Sequence, residues 1–361
     1  MEINNNRESI IGFDDLILVT GAPGFIGRYL VGELLKKGFS NIRCLVMESS
    51  DLAGLMAIIE RENGQSKCQI VVGNLLKADD CYKITQGVKI VYHLAAGTGC
   101  KSFSEAYLKC VVTTKNLLES ILQHGCLKRL VNVSSFAVYT NLNKKTGRIL
   151  DETCPVETAP ESRAEAYCYG KVKQDELVIN YGRERGLPYV IVRPGTVYGP
   201  GKCFIPGRVG IDSFGPFFHL GGSNSLPLSY VVNCAEAIAL AGLVHGIEGE
   251  VFNIVDDKLP TSRAFLRLYK KRVYPIQSIF VPKVLSFLFC ICWERFAKWS
   301  KGQVPAAFTR REWYAYWKKT NYSNKKIKEM LGWKQQIKTE NALLDYFEYC
   351  RQTVMKKKSG K

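Results

Sequence analysis

Tyr167 and Lys171 stand four residues apart. On a helix that spacing puts both side chains on one face, a turn from each other. An ammonium so placed is expected to draw the phenol down from its usual pKa of about 10 toward working pH. Tyr167 would then serve as general acid or base toward a substrate oxygen. Upstream, Ser134-Ser135 ends an apolar run. Of the two, Ser135 is chosen, from its spacing to Val138-Tyr139, to hydrogen-bond that same oxygen. Tyr169 is a second phenol, but no lysine follows it by four residues. Such Tyr–Lys pairs also occur on plain surface helices, so the surrounding chain has to decide.

The elements that would position these groups are read from short apolar runs alternating with amphipathic stretches. Strands are expected over 16–19, 42–47, 69–72, 88–94, 129–133 and 189–192, and helices over 25–37, 103–124 and 164–185. Strand–helix alternation of this kind implies parallel strands with right-handed crossovers, an α/β Rossmann-type doubly wound sheet. The turn after the first strand reads Thr20-Gly21-Ala22-Pro23-Gly24-Phe25-Ile26-Gly27. Glycines there allow a tight turn, close approach of backbone to a pyrophosphate, and close helix–sheet packing, while the following helix aims its free N–H groups at the phosphates. The expected cofactor is therefore a dinucleotide. Glu48 at the end of the second strand favours NAD over NADP through the adenosine ribose, with Arg43 at the strand's other end.

The Gly-x-x-Gly-x-x-Gly spacing resembles that of the extended short-chain dehydrogenase/reductase family, also called the epimerase/dehydratase family, and the resemblance continues along nearly the whole chain. Gly73-Asn74-Leu75 resembles the family's Gly-Asp-Leu, and Val91-Tyr92-His93-Leu94-Ala95-Ala96 its fourth-strand segment. Asp151-Glu152, Pro155-Val156-Glu157 and Gln174-Asp175-Glu176 flank the Tyr–Lys pair as in the family, and Arg193-Pro194-Gly195-Thr196-Val197-Tyr198-Gly199-Pro200-Gly201 resembles the segment beside nicotinamide. The resemblance implies a catalytic set of Ser135, Tyr167 and Lys171, with Lys171 also holding the nicotinamide ribose. It implies cofactor contacts from Gly21, Ala22, Pro23, Gly24, Phe25, Ile26, Gly27, Glu48, Asn74, Leu75, Leu94, Ala95, Ala96, Val133, Tyr167, Lys171, Pro194, Gly195 and Val197. It also implies a homodimer joined through two helices. His93 is expected to be a packed strand-end histidine.

Departures narrow the reaction. Sugar dehydratases of the family carry an acid–base pair where this chain has Phe136 and Ala137, which transfer no protons, so sugar 4,6-dehydration is not expected. An arginine common in nucleotide-sugar epimerases is replaced by Asn224-Ser225-Leu226-Pro227, and residues 230–237 look more like the 3β-hydroxysteroid dehydrogenase branch. Phe214, Phe217 and Phe218 would line an apolar pocket, or simply fill a core. Lys202 or Arg208 would remain for a substrate phosphate. Lys109 stands where the family usually has an asparagine that braces the active-site tyrosine, while Asn116 is retained.

Thirteen scattered cysteines show neither zinc-type nor thioredoxin-type spacing, which points to a reducing cytoplasmic compartment and to no metal. The acidic, polar N-terminus lacks the order of a secretory signal. The net charge of +17 attracts phosphates of any source and does not by itself choose a partner. No nucleic acid is expected, and part of the charge lies in a terminal lysine run read as a frayed tail. Residues 12–200 are assigned to the dinucleotide domain, with 228–256 returning to it. Residues 201–227 and 257–353 form a substrate lobe, and 354–361 a basic tail. Within 276–301, an apolar stretch too short to span a membrane is first expected to be a buried lobe helix. A peripheral membrane contact flanked by Arg295, Lys298 and Lys301 is the second reading. The leading expectation is an NAD(P)-dependent dehydrogenase or reductase acting on a small-molecule secondary alcohol or ketone, steroid-like or otherwise apolar. A nucleotide-sugar epimerase with tightly held NAD is the alternative. A non-catalytic dinucleotide sensor or RNA-associated protein is a third reading, which would have no use for the Ser–Tyr–Lys set.

Overall fold

In the computed structural model, residues 9–359 are described apart from 98, 143–148, 213–214, 302 and 305–307, and side chains as far as Lys356. Phe214 therefore lies outside the described residues. Seven strands form the main sheet: β1 (Ile17–Thr20), β2 (Ile42–Val46), β3 (Cys68–Val72), β4 (Ile90–His93), β5 (Arg129–Val133), β6 (Tyr189–Pro194) and β7 (Val251–Ile254). Their order is β7-β6-β5-β4-β1-β2-β3, and every pair is parallel. The order reverses between β1 and β4, which opens a crevice at their carboxyl ends where ligands of such sheets bind.

Successive residues of a strand face opposite sides. Val19 joins a core with Leu30, Leu34 and Ile238 under the Phe25–Lys36 and Val231–Leu243 helices. Its neighbour Leu18 joins Leu117, Leu118 and Val178 under the Thr113–His124 and Ala166–Arg185 helices. Both faces are covered, so strands such as β1 are buried throughout and read as continuous apolar runs.

The helix expected over 103–124 is three pieces: an α-turn Phe103–Ala106, a π segment Tyr107–Val112 and the α-helix Thr113–His124. The wider π turn frees carbonyls, and threonines take them up: Thr113 Oγ1 donates to Lys109 O at 2.8 Å and Thr114 Oγ1 to Cys110 O at 2.5 Å.

The lobe holds a three-stranded sheet, Gly210–Asp212 with Phe217–His219 and Ser278–Phe280. Its core gathers Val209, Phe217, Phe265, Tyr346 and Phe347. Two expectations are corrected. The apolar stretch does form a helix, Lys283–Trp299, but that helix is only partly buried: it packs inward through Ser286, Phe287, Cys290 and Ala297 and leaves Val284, Leu285, Leu288, Phe289, Phe296 and Trp299 exposed. The stretch read as a frayed tail is helical through Ser359, as the end of the Thr339–Ser359 helix. No described helix is long and apolar enough to cross a membrane.

Candidate active site

The glycine turn forms a cradle that side chains would fill. Gly21 has φ +69°, and a Cβ on it would meet Ala95 N at 3.0 Å and Leu94 C at 3.1 Å, the backbone that follows β4. A Cβ on Gly27 would lie 2.1 Å from Gly21 O, so the helix can sit this close to the turn only with glycine there. Gly24 is the exposed N-cap of the Phe25–Lys36 helix, with no side chain in front of the free N–H groups. Beyond the ends of β2 and β3 lies a cavity of about 550 Å³ lined by Met47, Glu48, Ser49, Val72, Gly73, Asn74, Lys77 and Asp80. The cradle and this cavity fit a dinucleotide: pyrophosphate at the glycines, adenosine beside Glu48 and Asn74. Asn74 spends its Oδ1 on Leu76 N at 2.9 Å, and the retained Asn116 holds Leu75 O at 2.9 Å.

Ser135, Tyr167 and Lys171 meet at the carboxyl end of β5. Tyr167 is in the first turn of the Ala166–Arg185 helix with its phenol beside Ser135, whose Oγ accepts from Ala137 N at 3.1 Å. Ser134 is turned the other way and donates to Asp175 Oδ2 at 2.8 Å. Tyr169 stacks near Phe103, with ring centroids 5.1 Å apart. Lys171 is 2% exposed. Its ammonium donates to Val133 O at 2.6 Å and to Gln174 Oε1 at 2.8 Å.

Burial and Ser135, rather than Lys171, dominate the protein's own effect on the phenol. Burial pushes the Tyr167 phenol up to about 12, and the group that pulls it back is the neighbouring Ser135 hydroxyl. Burial also lowers the Lys171 ammonium, which points at Val133 and Gln174. A protonated phenol in this position can give its proton to a carbonyl oxygen.

Sequence reasoning missed what braces this set. Gln174 passes the lysine's bond on to Thr114 Oγ1 at 2.8 Å, Thr114 meets His93 Nε2 at 2.8 Å, and His93 Nδ1 meets Thr20 Oγ1 at 2.8 Å. Thr20 in turn accepts from Ala95 N at 3.2 Å, beside Gly21. Lys171 is so connected, through buried groups, to the cofactor cradle. His93 is the packed strand-end residue expected, and burial, with the Lys171 charge, pushes its pKa down to about 3. Lys109 takes no part: it is exposed and pairs with Glu105 at 2.7 Å. The signal available in the sequence was Gln174 three residues after Lys171 on one helix face, with no indication of its partner.

Farther out, Arg208 is 9% exposed, donates to Ala315 O at 2.6 Å and lies over the Tyr316 ring. Lys202 lies over the Phe204 ring. Phe217 lines a lobe cavity of about 680 Å³ together with Tyr269, Tyr274 and Ile276. Pro194 ends β6, Gly195 N donates to Ile254 O at 3.0 Å, and a Cβ on Gly195 would lie 2.1 Å from Pro227 O.

The parallel sheet, the glycine cradle and the Ser–Tyr–Lys cluster define a dinucleotide-binding α/β protein. Residues 17–254 match the model of the NAD dependent epimerase/dehydratase family, and the chain belongs to that family of enzymes. It is 28% identical over 252 residues to a trifunctional UDP-glucose 4,6-dehydratase/UDP-4-keto-6-deoxy-D-glucose 3,5-epimerase/UDP-4-keto-L-rhamnose-reductase of Arabidopsis thaliana, covering 66% of this chain and 36% of that protein. It is 26% identical over 252 residues to a 3beta-hydroxysteroid-dehydrogenase/decarboxylase of the same plant, covering 65% of this chain and 42% of that one. The chain spans 36% to 57% of the length of such curated relatives. A solved structure of UDP-glucuronic acid 4-epimerase from Bacillus cereus, in complex with UDP-glucuronic acid and NAD, superposes with a TM-score of 0.68 at 21% identity. The match covers 93% of this chain and 99% of that one, and it shows a shared fold.

Proposed function

We propose that this protein is an NAD-dependent dehydrogenase or reductase that moves a hydride between the nicotinamide and a secondary alcohol or ketone. The observation that carries the reading is the placing of the Tyr167 phenol beside the Ser135 hydroxyl just past the carboxyl end of β5, with Lys171 buried one helical turn away. Bound NAD supplies or accepts the hydride. Tyr167 gives its phenolic proton to the carbonyl oxygen in reduction and takes it back in oxidation. Ser135 holds the same oxygen in line, and Lys171, one turn on, would hold the nicotinamide ribose. Glu48 at the adenosine cavity supports NAD over NADP.

For the substrate we favour a steroid-like or otherwise apolar molecule. Phe136 and Ala137 supply no acid or base for elimination, and Arg208 is engaged within the lobe. The 3beta-hydroxysteroid relative supports this choice. The second reading is a nucleotide-sugar epimerase that returns the hydride within each turnover, and the sugar-modifying relative is what favours it. A two-helix homodimer is the assembly we propose for either.

Mass spectrometry of small molecules released on denaturing the purified protein tests the choice. A dehydrogenase must exchange its cofactor, so the site should release little NAD and should take it up on titration. Near-stoichiometric NAD, retained through purification, would overturn that reading in favour of the closed epimerase cycle.

A further inference from the structure

The Lys283–Trp299 helix faces the wrong way for a helix of a water-soluble lobe. Val284, Leu285, Leu288, Phe289, Phe296 and Trp299 recur at helical spacing on its outer side, with Val284 70% and Trp299 77% exposed. Ile279 and Phe280 of the preceding strand are also about half exposed. Single exposed apolar residues are ordinary, whereas a continuous stripe of this size marks a surface that is covered in use.

Charge identifies the cover. Between Asp257 and Glu294 the chain has seven lysines and arginines and no acidic residue. Arg267, Lys271 and Arg272 are exposed on or at the end of the Ser262–Arg272 helix, and Arg263 lies 5.5 Å over the Phe280 ring. Arg295 and Lys298 are exposed on the apolar helix itself, while Glu294 is taken up by Arg310 at 2.7 Å. An apolar stripe bordered by cations fits the interface of an anionic bilayer, where the side chains insert among the acyl chains and the cations meet phosphates. A second copy of this chain would bring the same cations against them.

We propose that this face docks on an anionic lipid surface and makes the protein a peripheral, monotopic membrane protein. Its position relative to the candidate site gives the docking a use. Trp313 Nε1 donates to Ser286 Oγ of the docking helix at 2.9 Å, and Tyr316, on the same Arg310–Tyr316 helix as Trp313, donates to Glu165 Oε1 at 2.7 Å, two residues before Tyr167. One short helix therefore links the lipid face to the catalytic helix. The inference rests on surface composition and holds for either reaction.

Co-sedimentation of the full chain with phosphatidylcholine vesicles, with and without roughly 30% phosphatidylglycerol, tests it. The protein should pellet with the anionic vesicles, and Trp emission should shift to the blue. Val284→Glu with Leu285→Glu should abolish pelleting while leaving the thermal midpoint unchanged, since these two side chains are mostly exposed. Arg295→Ala with Lys298→Ala, the exposed cations of the helix itself, should weaken binding roughly thirtyfold. Protein that stays in the supernatant with anionic vesicles would overturn the proposal, as would glutamate variants that pellet like the parent. A dimer that forms without vesicles and is dissociated by the glutamate pair would overturn it too, by assigning the face to a second copy.

Discussion

The ammonium of Lys171 lies 2.6 Å from the carbonyl oxygen of Val133, so the helix that carries the candidate acid is tied directly to the end of β5. That contact fixes how far Tyr167 stands from Ser135, because both residues are anchored through the same junction. Its other support, Gln174, extends the tie through Thr114 and His93 to Thr20 at the cofactor turn.

Gln174→Leu should therefore reduce kcat while leaving Tyr167 and Ser135 in place. Removing the amide strips one acceptor from a buried ammonium and one donor from Thr114, at a cost of about 1–3 kcal/mol in stability. Gln174→Glu keeps the acceptor facing Lys171 and should retain more activity. Steady-state kinetics with the pH profile of each variant checks this. A profile unchanged in Gln174→Leu would reduce the residue to a packing role.

The two serines separate cleanly. Ser134 is committed to Asp175, which also pairs with Arg193 at 3.1 Å. Ser134→Ala should lower the thermal midpoint with little change in turnover, by about 1 kcal/mol for the lost hydrogen bond. Ser135→Ala should do the reverse, lowering kcat by roughly tenfold to a hundredfold. Comparing melting curves and kcat for both variants would refute the assignment if the pattern were exchanged.

His93 makes stability depend on pH in a stated direction. Its pKa falls from 6.5 to about 3 on folding, so between those values the unfolded chain holds a proton that the folded chain does not. The stabilisation is complete above pH 6.5 and is lost as pH falls toward 3. Asp256, raised to about 6, and Glu312, raised to about 7, act in the opposite sense, so the variant comparison isolates the histidine. His93→Asn should be less stable than the parent at neutral pH but should lose less on acidification. Urea midpoints at neutral pH and near pH 5 give the difference, and equal losses would contradict the linkage.

Glu48 lines the cavity beyond the ends of β2 and β3. Glu48→Arg should shift the ratio of kcat/KM for NADP over NAD by about tenfold or more, a change of ~1.4 kcal/mol. An unchanged ratio would mean that the carboxylate is only a solvated loop acid.

The sheet was legible because strands covered on both faces leave unbroken apolar runs ended by glycine, as at residues 16–21. The Ser–Tyr–Lys set was singled out by the family resemblance of its flanking segments, since a tyrosine four residues before a lysine is common on surface helices. What stayed hidden depends on contacts distant in sequence. The π segment at Tyr107–Val112 turns Lys109 outward, and nothing in the residue string signals the wider turn. Thr114 joins Gln174 across a separation of 60 residues, which no periodicity reveals. The 283–299 helix misled for another reason: an apolar stripe has the same pattern whether it faces a core or lies exposed.

Tyr167→Phe tests the central claim most directly. Parent and variant would be mixed with NAD and a panel of secondary alcohols, with formation of reduced nicotinamide followed by fluorescence and NAD affinity measured in parallel. The phenylalanine keeps the ring and removes the proton carrier. The account predicts an NAD affinity close to the parent's and a rate lowered by about 10²–10⁴-fold. Full activity in the variant would contradict the assignment of Tyr167 as the acid–base group.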